Sequence, residues 1–172
     1  MKLVAIFLAS LITLASCSTA GVKNIEYVEF EKSTEVEKPS TEVWGYLLEW
    51  AAINNFPIEE TDKNDGIIKL VGSGTVSRSF LGTVRAELDQ SLVSCGEATG
   101  NIGLYSANFT GLQISAVLIL REIGDSTRVT VNMTGNVGVE VRNGFGVVSE
   151  ARNTCVSRGI FEEKLFKDLK SI

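Results

Sequence analysis

The spacing of apolar side chains along the chain predicts two helices. The first begins at Pro39 and Ser40 and ends at residues 54–55, because the Phe-Pro pair that follows disfavours helical backbone. The second has Ser157 as its N-cap and runs close to the C terminus. Each helix has one apolar face, formed in the first by Val43, Trp44, Leu47, Leu48 and Ala51, and in the second by Ile160, Phe161, Leu165, Phe166 and Leu169.

Apolar runs and alternating positions predict a sheet with a central pair of strands. Residues 112–121 are almost continuously apolar, and the return strand alternates over residues 129–133 after a turn at residues 124–126. A second hairpin spans residues 58–71, because Asp65-Gly66 between apolar segments is a strong turn signal.

Four further segments carry weaker patterns. Residues 25–30 and 88–95 predict strands, residues 72–82 predict a loop, and the glycine-rich residues 136–148 predict either a twisted edge strand or a mobile loop. The order of elements predicts an α+β two-layer domain, with both helices packed on one face of an antiparallel sheet. This single domain is expected to span residues 25–172.

The first 17 residues predict an exported protein. A positive Lys2 precedes an apolar run at residues 3–14, which is too short to cross about 30 Å of hydrocarbon and has the layout of a secretory signal peptide. The string Leu14-Ala15-Ser16-Cys17 resembles the lipobox of bacterial lipoproteins. The resemblance implies a signal peptide at residues 1–16, lipidation of Cys17 and a tether at residues 17–24. An ordinary cleaved signal peptide is the alternative.

The charge balance argues against nucleic acid as a partner. The chain has 16 Lys and Arg and 21 Asp and Glu, and removal of the signal peptide with its one lysine leaves 15 − 21 = −6. Phosphate backbones and anionic lipid head groups repel such a surface. We therefore expect contact with the membrane through the lipid anchor at Cys17, and no nucleic-acid partner.

The other two cysteines predict a disulfide. With Cys17 lipidated, Cys95 and Cys155 form an even pair in an oxidising compartment. The loop of about 60 residues that they close would remove about 4 kcal/mol of unfolded-state entropy. Two buried free thiols are the alternative. Two cysteines without any histidine are a poor ligand set for zinc, and we expect neither a metal nor a cofactor.

The composition also limits catalysis. The chain has no histidine, which excludes Ser-His-Asp and Cys-His catalysis and histidine-ligated metal centres. A hydrolase that uses carboxylates alone is the remaining enzymatic hypothesis, with the acids around the first hairpin as candidates: Glu59, Glu60, Asp62 and Asp65. A solvated turn explains these acids better, and residues 72–74 lack the Lys-Ser/Thr pair of a phosphate-binding loop. We expect no enzymatic activity.

Trp50 and Tyr46 on the first helix are candidates for partner docking. Trp44 and Trp50 point about 120° apart on a helix of about 3.6 residues per turn. Trp44 therefore belongs to the apolar stripe, whereas Trp50 lies at its margin beside Tyr46. A partly exposed tryptophan is a typical interface anchor. The alternative is a rim tryptophan that covers the sheet.

Two segments resemble known lipoproteins. Residues 155–162, Cys-Val-Ser-Arg-Gly-Ile-Phe-Glu, resemble an ending of small periplasmic lipoproteins of Gram-negative bacteria, in which Cys-x-Ser-x-Gly-x-x-Glu begins the last helix. Residues 40–72 resemble the C-type accessory lipoprotein of the outer-membrane β-barrel assembly machine, through Val43-Trp44-x-x-Leu47 and the turn that runs from Asp62 to Ile68. The resemblance implies an accessory role in envelope assembly.

These features predict a non-enzymatic lipoprotein that is anchored in the outer membrane and faces the periplasm. Ser18 favours the outer membrane, because aspartate at that position resembles a signal for retention in the inner membrane. The expected partner is an envelope protein, bound through the open face of the sheet or the glycine-rich loops. The alternative is a carrier of a small apolar ligand or lipid, held between sheet and helix with residues 135–146 as a lid.

Overall fold

The structure of the protein is a computed structural model that describes residues 19–74, 76–77, 87–88, 91–100 and 105–172. The helices in these ranges are α1 (Ser40–Ile53) and α2 (Ile160–Leu169). The strands are β1 (Gly21–Lys23), β2 (Ser33–Val36), β3 (Ile58–Asp62), β4 (Ile67–Gly74), β5 (Val76–Ser77), β6 (Glu87–Leu88), β7 (Val93–Ser94), β8 (Glu97–Thr99), β9 (Ser106–Ile123), β10 (Ser126–Asn143) and β11 (Gly146–Ser157). The signal peptide and Cys17 lie outside the described residues.

The main sheet is antiparallel and has the order β3-β4-β9-β10-β11-β7, with β2 also paired to the first part of β10. Two further pairs, β1 with β8 and β5 with β6, form separate two-stranded sheets. The predicted α+β class is therefore confirmed. The Asp65-Gly66 hairpin is confirmed as well, since β3 and β4 pair on either side of residues 63–66.

The central hairpin is longer than the sequence pattern predicts. Strands β9 and β10 have 18 residues each, and the glycine-rich residues 136–143 continue β10 between β9 and β11. The prediction of an edge strand or a loop over residues 136–148 is wrong. Val137, Val139 and Val141 keep the two-residue alternation and are buried. The glycines in this segment obscure the alternating pattern in the amino-acid sequence.

The core lies on one face of the sheet, beneath both helices, as predicted. Alternate residues of β10 from Thr127 to Val141 are buried, and the buried residues of α1 and α2 join the same cluster. An aromatic cluster connects the two helices. Trp50 of α1 stacks on Phe56 at a centroid distance of 5.8 Å and meets the edge of Phe161 of α2 at 5.6 Å.

The first helix ends as predicted and the second begins differently. Asn55 takes a left-handed backbone with φ of 57°, which stops α1 before Pro57. The prediction of Ser157 as the N-cap of α2 is wrong, because Ser157 belongs to β11 and Gly159, with φ of 81°, precedes the helix. A side chain at position 159 would place its Cβ 2.7 Å from the ring of Phe30, so only glycine fits there.

The N-terminal assignments need two corrections. Residues 25–30 are not a strand, and Tyr27 and Val28 within them are exposed. The paired strands lie before and after this segment: β1 precedes it and β2 follows it. Strand β1 falls within the predicted tether at residues 17–24. Gly21–Lys23 pair with Glu97–Thr99 of β8, which supplies the backbone partners that a free tether lacks.

The strand predicted over residues 88–95 is also shorter in the structure. Only Val93–Ser94 belong to the main sheet, after a bend at residues 91–92, and residues 89–90 lie outside the described residues. Val93 and Cys95 of this segment are buried in the core. None of the helices in the described part of the chain is long and apolar enough to span a membrane.

Candidate functional site: the open face of the sheet

The face of the central strands opposite the helices presents polar side chains to solvent. We call this surface the open face. It comprises Lys69 and Val71 of β4, Gln113, Ser115 and Val117 of β9, and Asn132, Thr134 and Asn136 of β10. The strand register places Gln113 beside Asn136 and Ser115 beside Thr134. Along each of these strands, the amide and hydroxyl side chains alternate with buried residues. The amides and hydroxyls of neighbouring strands therefore lie on the same face of the sheet.

An open groove of about 660 Å³ crosses this face. Its lining includes Pro57, Glu59, Lys69, Gln113, Thr134 and Asn136. Lys69 Nζ lies 2.6 Å from Glu59 Oε2, and this hydrogen-bonded ion pair raises the pKa of Lys69. The pair leaves the groove wall with balanced charge. Neutral amides and hydroxyls offer both donors and acceptors, which suits recognition of a polar backbone or side chain more than proton transfer.

A second cavity, of about 340 Å³, lies where the sheet forks. Strand β2 pairs with β10 as far as Thr130, whereas β11 joins the same edge of β10 from Thr134 onward. The cavity opens between these two strands. Tyr27 and Phe30 from residues 25–30 and Met133 of β10 form part of its wall.

Glu162 of α2 lines this second cavity and is buried, with 1% of its surface exposed. Its Oε2 accepts a hydrogen bond of 2.8 Å from Ser157 Oγ, whereas Oε1 is buried and has no hydrogen-bond partner among the described residues. Burial raises the pKa of Glu162 against the opposing effect of the Ser157 hydrogen bond. The sequence pattern missed this residue, because an acid in the first turn of a helix ordinarily faces solvent.

The predicted docking residues on α1 are placed differently from expectation. Trp50 is buried with 4% of its surface exposed, and its Nε1 donates a 2.8 Å hydrogen bond to Asp168 Oδ2 of α2. The expectation of a partly exposed Trp50 is wrong. Helix α2 packs against the edge of the apolar face of α1, and its side chains cover Trp50. Trp44 and Tyr46 are half-buried, and burial, followed by the carboxylate of Asp168, raises the pKa of Tyr46.

The predicted disulfide joins Cys95 to Cys155, with the two Cα atoms 4.3 Å apart. Both residues are fully buried. The bond connects the segment after β7 to β11, shortly before α2 begins. It therefore holds the strand that leads into the last helix against the core.

The acids around the first hairpin have structural contacts. Asp62 Oδ1 accepts hydrogen bonds from the backbone N–H groups of Asn64 and Asp65 at 2.9 and 3.1 Å, and Glu59 pairs with Lys69. Glu60 is exposed. Across the described ranges, no group of three or more Cys, Asp or Glu side chains is placed to hold a metal ion.

The structure describes only part of the glycine-rich segment at residues 72–82. Residues 72–74 complete β4, whereas Gly82 lies outside the described residues. The loop predicted at residues 72–82 is therefore wrong at its start, where Gly72 and Gly74 pair with Ile114 and Leu112 of β9.

Comparison with known proteins found no matching family model, no similar curated protein and no similar solved structure.

Proposed function

We propose that the chain is a lipid-anchored protein of the bacterial outer membrane whose periplasmic domain binds another envelope protein through the open face. The role is non-enzymatic and belongs to envelope assembly or maintenance. The observation that carries the proposal is the open face itself. A central sheet face has hydrogen-bonding side chains at successive positions, and neither helix of the described residues lies over them.

The composition of that face supports a protein partner. Gln113, Asn132, Thr134 and Asn136 are exposed and uncharged, and Lys69 is already paired with Glu59. Depletion of unpaired charge and exposure of adaptable donors and acceptors are features of protein interfaces. The face offers no excess of positive charge to a phosphate backbone or an anionic head group.

The N-terminal sequence supports the location. Leu14-Ala15-Ser16-Cys17 resembles a lipobox, and Ser18 favours outer-membrane sorting. Several acyl chains hold a protein at a bilayer at about 0.8 kcal/mol per buried methylene, so an acidic domain needs no basic patch to stay there. A Cys17→Ala variant should accumulate an unlipidated precursor, and globomycin treatment should accumulate a precursor that keeps its signal peptide. Normal processing of that variant would contradict the lipoprotein assignment.

Photocrosslinking in intact envelopes tests the partner. A benzophenone amino acid replaces Thr134 on the open face, and in a matched control it replaces Thr41, an exposed threonine on α1. We expect a defined protein adduct from position 134 and none from position 41. Equal labelling from both positions would contradict an interface on this face. Recovery of lipid or a small molecule with the purified chain, and no protein adduct, would favour the ligand carrier, with the cavity beside Glu162 as its site.

A further inference from the structure

The hairpin that joins β10 to β11 projects an apolar tip beyond the core. We call residues 142–148 the tip. Phe145 is fully exposed, and Val147 and Val148 are exposed on opposite faces of the strand at 40% and 45%. Tyr105, next to the start of β9, is exposed beside the tip because Ser106 pairs with Arg142. Four of the large exposed apolar side chains of the described residues thus share one end of the molecule.

The tip has a defined conformation. The side-chain Oδ1 of Asn143 accepts hydrogen bonds from the backbone N–H groups of Phe145 and Gly146 at 2.9 and 3.1 Å. This arrangement fixes the turn and holds the Phe145 ring outward. A ring that is presented by an ordered turn and is not covered by any of the described residues is a candidate contact with something outside the chain.

The N terminus of the domain lies at the same end. The backbone N–H of Ala20 donates a 3.2 Å hydrogen bond to Ser149 Oγ of β11, and Gly21 pairs with Thr99. Gly100, the next residue, abuts Val141, because a side chain added there would overlap the valine. Reading backward from Lys23 to Gly21, the chain therefore advances toward the tip.

Chain length then fixes how far the anchor can be from the tip. Three residue steps separate Ala20 from Cys17, a reach of about 10 Å at about 3.5 Å per residue. Four strand positions separate Ser149 from Phe145, or about 13 Å. The opposite end of β10, at the Gly124–Asp125 turn, lies about 60 Å away along an 18-residue strand at about 3.3 Å per residue. A lipid on Cys17 is thus held much nearer to the tip than to the other turn.

Charge beside the tip does not oppose this contact. Arg142 pairs with Glu140 at 2.6 Å, and Lys23 pairs with Glu97 at 3.6 Å. These two ion pairs are neutral as units, although the mature chain carries a net charge of −6. Aromatic and aliphatic side chains between neutral polar neighbours match the interfacial layer of a bilayer, where tyrosine in particular is enriched.

We infer that Phe145, Val147 and Val148 insert into the head-group layer of the membrane that holds the lipid on Cys17. This inference rests on the proposed lipidation. The tip and the lipid form two points of contact with the membrane. Together they orient the long sheet relative to the membrane and leave the open face accessible from the periplasm. The occupant of the tip is the bilayer surface, not a protein.

Fluorescence quenching in vesicles tests the inference with the full lipidated chain. Phe145→Trp places a probe at the tip, and Asp125→Trp places the matched probe in the exposed turn at the other end of β10. Trp44 and Trp50 are common to both variants and cancel in the comparison. The vesicles contain phosphatidylethanolamine and phosphatidylglycerol, with or without lipids brominated near the head group. Mass measurement first establishes that each preparation carries the lipid.

We expect the Phe145→Trp probe to be quenched on the order of twofold more than the Asp125→Trp probe, because an interfacial side chain enters the head-group boundary by about 5–10 Å. Equal quenching of the two probes in lipidated protein would overturn the tip contact and leave the lipoprotein proposal standing. Absence of the lipid from the mass would overturn both. A protein adduct from a photocrosslinker at position 145 in intact envelopes, without quenching in vesicles, would replace the bilayer with a protein partner.

Discussion

The two ends of strand β10 have different surroundings. From Thr127 to Val141, every second side chain is buried beneath the helices or against neighbouring strands. Beyond Val141 the hairpin turns back, and Val147 and Val148 at the start of β11 are exposed although both are apolar. Apolar side chains therefore predict a strand but not its burial. Burial requires a second layer, which α1 and α2 provide at the end where β2 also pairs and Gly100 provides beside Val141.

Removal of the disulfide should lower the stability of the domain more than any other change considered below. Cys155→Ser should lower the free energy of unfolding by about 4 kcal/mol, because the bond closes a loop with a sequence separation of 60. Urea unfolding followed by tryptophan fluorescence measures the loss, with reduced wild-type protein as the control.

Hydrogen exchange of the reduced protein locates that loss. Amides of residues 118–131 in the covered end should lose protection, while those of the tip, which we expect to exchange readily in wild-type protein, should change little. A comparable loss of protection at both ends would mean that the tip belongs to the same cooperative unit as the core.

A matched pair of substitutions compares the two ends directly. Val131→Ala should cost about 2–3 kcal/mol of unfolding free energy, since Val131 is buried and its truncation leaves a cavity. Val147→Ala at the tip should change stability by less than about 0.5 kcal/mol. Thermal unfolding of both variants at one pH provides the measurement. Equal costs would contradict the contrast between a covered and a projecting end.

The smallest effect concerns the buried acid of the covered end, and it depends on pH. Because burial raises the pKa of folded Glu162 above its ordinary value of 4.5, the unfolded chain releases this proton first as the pH rises. Wild-type protein therefore loses stability from about pH 4.5 upward until the folded pKa is passed, whereas Glu162→Gln does not. The variant should gain stability relative to wild type over this range.

Glu163→Gln is the matched control for that measurement, since Glu163 lies in the same helical turn and is exposed. The difference in unfolding free energy between Glu163→Gln and wild type should not change with pH in the way expected for Glu162→Gln. A Glu162→Gln variant with a pH profile parallel to that of wild type would show that the buried carboxyl does not titrate differently on folding.

The sequence predicted the elements whose physical cause is local. The α1 boundaries follow from Pro39, Asn55 and Pro57, and the first hairpin follows from Asp65-Gly66, because backbone preferences act over a few residues. The disulfide joins residues 60 positions apart, and its prediction rested instead on two cysteines in an expected oxidising compartment. The local predictions required no knowledge of a distant partner.

The errors arose where a distant contact decides the outcome. Trp50 is interior only because Phe161 and Asp168 approach it from a segment more than 100 residues away. Ser157 does not cap α2, because its hydroxyl binds Glu162 and the chain turns at Gly159 beneath Phe30. The open face could be anticipated from the polar positions between buried ones, but its groove and the forked cavity depend on strand register.

The fork in the sheet has a consequence for the order in which the domain folds. β10 is shared between β2, near the start of the domain, and β11, near its end. The hydrogen bond between Ala20 and Ser149 likewise spans 129 residues. The first residues of the domain therefore wait for partners far along the chain, and such non-local closure is slow. In the exported lipoprotein that we propose, β2 cannot pair with β10 until residue 130 has crossed the membrane, so the domain matures late in its delivery.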